Sequence, residues 1–232
     1  MAKVSYDSSN YTITIDGVEE VSKALGDLKG KTPAAVKVAV NATAREARKL
    51  MIAKAKARYA VNAAGQKHLK DLVQRGKATN ANPVAELHIK SFRNDLGYFD
   101  YKPKGVHTGM DVYRSAPSVV SARVLKAGSL KPLSGNGEKS KGFVLKFSSG
   151  HVGMVQRVIG SSSRHRTTAK GFPRWENKQG NVEKLRTMGS PSATAMHNTI
   201  WPEVQPDVSE FLQMRLDTQV RKVIERARKA GR

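Results

Sequence analysis

PAAVKVAVNATAREARKLMIAKAKARY, running from Pro33 to Tyr59, is the stretch on which the fold class turns. At 100° per residue, Val36, Val40, Thr43, Ala47, Leu50 and Met51 share one stripe. Lys37, Arg45, Arg48, Lys49 and Lys56 fall on the opposite side. This pattern predicts a long amphipathic helix with a basic outer face. Thr32 reads as its N-cap and Pro33 as its first helical residue.

Upstream, Tyr11 to Ile15 alternates apolar and polar residues and ends in Asp16-Gly17, a short strand closed by a turn. Asp16 is placed to cap a helix over Val18 to Leu28, with Gly30 as its stop. Downstream, Ala64 to Gly76 reads as another short basic helix. Strands are expected at Val84 to Ser91, Val119 to Ala127, and Phe143 to Ser148 continuing through Val152 to Val158. Lys131 to Lys141, with Pro132, Gly135 and Gly137, is a loop between two of them. Regular structure is expected to fail from Gly160 to Gly189, and a basic amphipathic helix resumes from about Asp207. The sum is an α+β chain: a small antiparallel sheet packed with the long basic helix and a C-terminal helix, with long loops. It is read as one domain over 1–232, with a strand-helix extension at 1–32 and a basic flexible loop or insertion at 160–190.

Charge narrows the partners. Lys and Arg number 41 against 19 Asp and Glu, a formal net charge of +22. Such self-repulsion suits a chain whose partner is a polyanion, because each phosphate contact releases a condensed counterion. An acidic protein neighbour is the alternative. With no cysteine, disulfides, thiolate metal sites and thiol nucleophiles are excluded. The first residues lack the apolar run of a secretory signal, and no stretch reaches the ~20 apolar residues of a membrane span. The chain is therefore expected to be soluble and to work inside a cell.

Chemistry is sparse. Six histidines are scattered, and no pair at helical spacing flanks a Glu, which argues against a zinc hydrolase. Gly135-Asn136-Gly137-Glu138-Lys139-Ser140 has the wrong spacing for a phosphate-binding loop, and Glu138 would repel phosphate. Glu19-Glu20 and Asp95 with Asp100 are carboxylate pairs on a helix surface and in a loop, without the density of a metal nuclease site. No zinc-finger, aromatic RNA-binding or helix-turn-helix pattern is present, so any nucleic-acid contact is expected to fall on the backbone. No catalytic residue, metal or cofactor is expected.

The order of several local words resembles the minor tail protein Z family of lambda-like phages, the tail-completion proteins. The long helix carries Asn41-Ala42-Thr43-Ala44-Arg45-Glu46-Ala47-Arg48, a basic region ends in Arg75-Gly76-Lys77-Ala78-Thr79, and Ala85 to Lys90 follows as a strand. The most specific word is Gly150-His151-Val152-Gly153-Met154-Val155-Gln156-Arg157, preceded by Gly142-Phe143-Val144. Gly189-Ser190-Pro191-Ser192 is similar to a turn before a terminal basic helix. The likeness runs roughly from Pro33 to Arg232; the N-terminal strand and the loop Ser161 to Met188 are additions to that pattern, and Gly189-Ser190-Pro191 replaces a direct Gly-Pro.

The resemblance implies an α+β virion subunit at the head-proximal end of a tail, made in the host cytoplasm. It would form a six-fold ring around the DNA channel and contact tail terminator, tail tube and head connector proteins, with no membrane role. Backbone contacts to DNA are expected from Arg45, Arg48, Lys49 and Lys56 on the helix and from Arg164, Arg166 and Arg174 in the loop. His151 and Arg157 are expected at a subunit interface. The plain alternative for each cation is a solvated surface charge. For the whole chain, the alternative is a standalone sequence-nonspecific nucleic-acid-binding protein.

Overall fold

A computed structural model describes residues 2–7, 10–15, 18–90, 94–104, 119–147, 149–164, 167, 176 and 179–231; at 2–7 it describes the backbone. The chain is α+β and divides into two compact units. The first takes Met1–Ala55, His68–Phe92 and Ala193–Arg232, and the second takes Lys56–Lys67 and Arg93–Ser192.

The first unit is built on a four-stranded antiparallel sheet. Strands β1 (Ala2–Asp7), β2 (Asn10–Ile15), β3 (Leu72–Gly76) and β4 (Ala85–Ile89) lie in the order β1-β2-β4-β3. Alternation decides which face is buried. Tyr11, Ile13 and Ile15 on β2 and Ala85, Leu87 and Ile89 on β4 are all buried, with Tyr11 opposite Leu87 and Ile13 opposite Ala85. The N-terminal 32 residues supply two of these four strands and helix α1 (Val18–Leu25), whose Val21 and Leu25 are buried, so they belong to the core of the unit.

Helix α1 stops at Leu25, earlier than expected. Gly26 takes φ +51°, a left-handed conformation that glycine reaches without steric penalty, and a 3-10 turn over Gly26–Lys31 follows. That turn runs directly into α2 (Thr32–Arg58), so Thr32 is not the side-chain cap that was expected. Its N–H bonds to the Lys29 carbonyl, and its buried Oγ1 has no hydrogen-bond partner among the described residues. Small residues line the buried side of α2: Ala35, Ala39, Ala42, Ala44 and Ala47 join Val36, Val40, Thr43 and Met51.

Two expectations fail in this unit. Ala64 to Gly76 is not one helix: α3 (Ala63–Leu69) ends in a turn, and Leu72–Gly76 is strand β3, paired with β4. Leu72 is fully buried opposite Ile89, so ladder pairing and burial override the local helical pattern. Helix α4 (Ala193–Ala230) starts well before Asp207 and carries Pro202 and Pro206 inside it. Both prolines lie on the exposed side, while Ile200, Trp201, Val204 and Val208 are buried. Each proline removes one helical hydrogen bond, and burial of the opposite face holds the helix through both losses.

The second unit carries two three-stranded antiparallel sheets. One has β5 (Asp100–Lys102), β6 (Ser121–Arg123) and β7 (Lys131–Pro132) in that order, and the other has β8 (Phe143–Lys146), β9 (Val152–Arg157) and β10 (Leu185–Thr187) in the order β10-β9-β8. The strand expected over Val119 to Ala127 shortens to β6 because the chain forks after Arg123. Asp100 still pairs with Arg123, but beyond them the segment 58–62 enters between the two strands. Ala60 N–H bonds to Val124 O and Lys126 N–H to Arg58 O, while Asn62 N–H bonds to Tyr98 O and Asp100 N–H to Ala60 O. Within the stretch expected to be irregular, β10 pairs with β9, and Val158 N–H bonds to Lys184 O. Among the described residues no helix is long and apolar enough to cross a membrane.

Candidate nucleic-acid interface

The basic residues expected on the long helix separate into two kinds. Arg45 and Lys49 are exposed in the first unit, and Lys49 Nζ sits 3.0 Å from Glu46 Oε1 one turn back. Arg48 is used internally. Its Nε donates to Leu72 O at 2.5 Å and its Nη2 to Lys70 O at 3.3 Å, which ties α2 to the start of β3. One face along from it, Asn41 accepts from Ala78 N–H and Gln74 Nε2 and donates to Ala78 O, matching a backbone pair with its amide. Lys56 is half-buried in the part of α2 that belongs to the second unit. In the loop, Arg164 is exposed, whereas Arg166 and Arg174 lie outside the described residues.

The fork in the second unit gathers further cations that the sequence reading did not single out. Where the strands part, an open pocket of about 430 Å³ is lined by the chain from Ala60 to Asn62 and by Asp100, Lys104, Arg123 and Lys126. Asp100 accepts from Lys104 Nζ and from Arg123 Nε, each at 3.0 Å, and Arg123 Nη1 donates to Lys126 O at 3.3 Å. The hydrogen bond from Lys104 leads in holding the Asp100 carboxyl below the usual carboxylate range; burial opposes it and Arg123 reinforces it. Asn62 fixes the wall, donating to Gly97 O and Phe99 O and accepting from Gly65 N–H at the start of α3. The three segments 60–62, 100–104 and 123–126 are far apart in sequence, and the strand fork brings them together.

His151 and Arg157 have intramolecular roles. His151 Nε2 donates to Asp95 Oδ2 at 2.8 Å, and the other carboxylate oxygen accepts from Gly97 N–H and Met154 N–H. Phe147 stacks on the imidazole, and its Nδ1 faces the Tyr98 hydroxyl at 3.5 Å. An Asp–His pair can serve acid–base chemistry, but here the second nitrogen faces a buried phenol. What the pair does is pin the 94–99 loop to β9. Gly153 is required for it: a Cβ there would sit 2.5 Å from Asp95 Oδ2 and 3.1 Å from His151 Nε2. A glycine inside a predicted strand is the one sequence signal that could have marked this close approach.

Arg157 is buried beside Glu183, with its guanidinium 5.4 Å from the Phe143 ring. Desolvation pulls it down to about 10 and Glu183 opposes the fall, so it stays charged at neutral pH. Glu183 also accepts from Gly160 N–H, closing the base of the 160–184 loop. In the first unit, His197 is fully buried and its Nε2 donates to Leu69 O at 3.1 Å. Burial pushes its pKa down to about 4.

No family model matches this chain, and no curated protein or solved structure shows significant similarity to it.

Proposed function

We propose that this chain is a structural virion subunit that completes the head-proximal end of a phage tail and helps join tail to head. In this reading it acts as a ring subunit around the DNA channel, meets tail terminator, tail tube and head connector proteins, and is not an enzyme. The observation that carries the reading is the net charge of +22 combined with where its carriers lie. Arg45, Lys49, Lys126 and Arg164 are exposed, and the buried interior is dominated by apolar side chains. Such a surface attracts a polyanion without reading its sequence, which is what a channel subunit needs. The ordered words from Pro33 to Arg232 that resemble tail-completion proteins add the location. Asp95 with His151 is assigned a fastening role and no catalysis.

The test is electron microscopy of particles from a phage or prophage with an early stop codon in this gene. Filled heads with separate or aberrant tails are expected. Normal joined virions would reject the assignment and leave the second reading, a standalone nonspecific nucleic-acid-binding protein, which the charge supports equally well.

A further inference from the structure

We propose that the pocket at the strand fork of the second unit is a contact site for a phosphate group of a nucleic-acid backbone. The inference rests on the polyanion-facing part of the function proposed above. Three features of the pocket distinguish it from the convex face of α2. It is concave, and clefts lined by one dominant sign of charge focus potential more strongly than open surfaces. Three cations, Lys104, Arg123 and Lys126, surround a single carboxylate, Asp100, so the site keeps an excess of positive charge. Its guanidinium is also held in advance: Arg123 Nε is engaged by Asp100 and Nη1 by Lys126 O, which fixes the plane of the group. Holding it in place reduces the rotamer entropy lost on binding a phosphate.

The fork explains why the pocket exists. Antiparallel pairing continues as far as Asp100 with Arg123, and the entry of 58–62 then separates the strands. Asp100 therefore sits at the last cross-strand position, where it can hold Arg123 and Lys104 together. It acts as a positioning residue, and the cations are the contacts. A tetrahedral phosphate oxyanion is the chemistry that such a set recognises. A phosphodiester and free phosphate both provide it, and the proposal commits to the phosphodiester.

The experiment is fluorescence anisotropy of the intact protein with a labelled duplex of about 20 base pairs, titrated between about 50 and 200 mM salt. The pocket variant is Lys104→Gln with Lys126→Gln, both exposed positions, and Lys126→Gln alone is the milder companion. Removing two phosphate contacts is expected to lower the log–log salt slope by about 1.8 and to weaken binding on the order of 100-fold at 50 mM salt. The companion is expected to show about half that change in slope, and Lys126→Arg is expected to bind like wild type.

If the wild type binds but both pocket variants match it in affinity and slope, the pocket assignment is overturned and the wider reading stands. If the wild type fails to bind duplex at 50 mM salt, the polyanion reading falls and takes the pocket with it. Inorganic phosphate offers the same oxyanion without the neighbouring contacts of a backbone, so it should compete with the duplex but bind the protein more weakly than the duplex does. Inorganic phosphate binding more tightly than the duplex would give the pocket to a free oxyanion and overturn its assignment to the backbone.

Discussion

Acid should loosen the first unit through one residue, His197. Its side chain is fully buried, with Nε2 on the Leu69 carbonyl and Nδ1 without a hydrogen-bond partner among the described residues. Burial lowers its pKa from 6.5 to about 4, so between those values the unfolded chain holds a proton that the folded chain does not. Stability therefore falls as pH drops through that window, and the contribution is fully present above 6.5. A gap of about 2.5 pH units at about 1.36 kcal/mol each sets a limit near 3.4 kcal/mol, of which about 2 kcal/mol is lost by pH 5. The perturbation is His197→Gln, whose amide can still donate to the Leu69 carbonyl but does not titrate. Urea midpoints followed by circular dichroism at pH 7 and pH 5 give the difference between wild type and variant at each pH. That difference should move by about 2 kcal/mol in favour of the variant at pH 5. A difference that stays constant would refute the account, because every other titrating group is common to both proteins.

Two further substitutions test the packing arguments. Gly153→Ala should lower stability by about 1–3 kcal/mol, read as a fall in melting temperature, because the new methyl displaces Asp95 from His151. Loss of the His151 ring-proton shift characteristic of the wild type, followed by NMR, would accompany it; an unchanged melt and spectrum would remove Gly153 from the argument. Arg48→Ala should cost about 1–3 kcal/mol through the two carbonyls it leaves on Lys70 and Leu72, while Arg45→Ala on the exposed face should stay within about 0.5 kcal/mol. Equal effects at the two positions, measured by denaturant melts, would mean that both are surface charges.

What the sequence revealed followed the range of the interactions involved. Helix α2 and the strands β2, β4, β8 and β9 were legible because their burial repeats with the period of the element: β2 alternates buried Tyr11, Ile13 and Ile15 with partly exposed neighbours. Strand β3 was not, since its pairing partner is β4 and a run through His68, Leu69, Leu72 and Val73 also suits a helix. The first turns of α4 were hidden by Pro202 and Pro206, whose local penalty is outweighed by the burial of Trp201 and Val204. Strand β1 was missed although Ala2, Val4 and Tyr6 alternate with Lys3, Ser5 and Asp7; six residues are a short signal, and what fixes them as a strand is the pairing along β2. The site was less legible still. Asp95 and His151 are 56 positions apart, and Asp100 and Arg123 meet only because two strands pair and then part.

Arginine and lysine divide the work of this charge in a way that composition conceals. Arg48 bonds two carbonyls, Arg123 joins a carboxylate to a carbonyl, and Arg157 is buried against Glu183. Each uses the several fixed donors of a guanidinium, which one ammonium could not match. Lys49, Lys104 and Lys126 instead sit at the surface, where the first two meet a single carboxylate each. A formal +22 therefore overstates what is free to meet a polyanion. Part of it braces the fold, and an arginine that already holds a carbonyl has fewer donors left for a phosphate. Exposed cations open to an external partner include Arg45, Lys49 and Arg164, together with the lysines that rim a pocket whose arginine is already oriented. Helical position alone would have put Arg48 in that set; its bonds to Lys70 and Leu72 are what take it out.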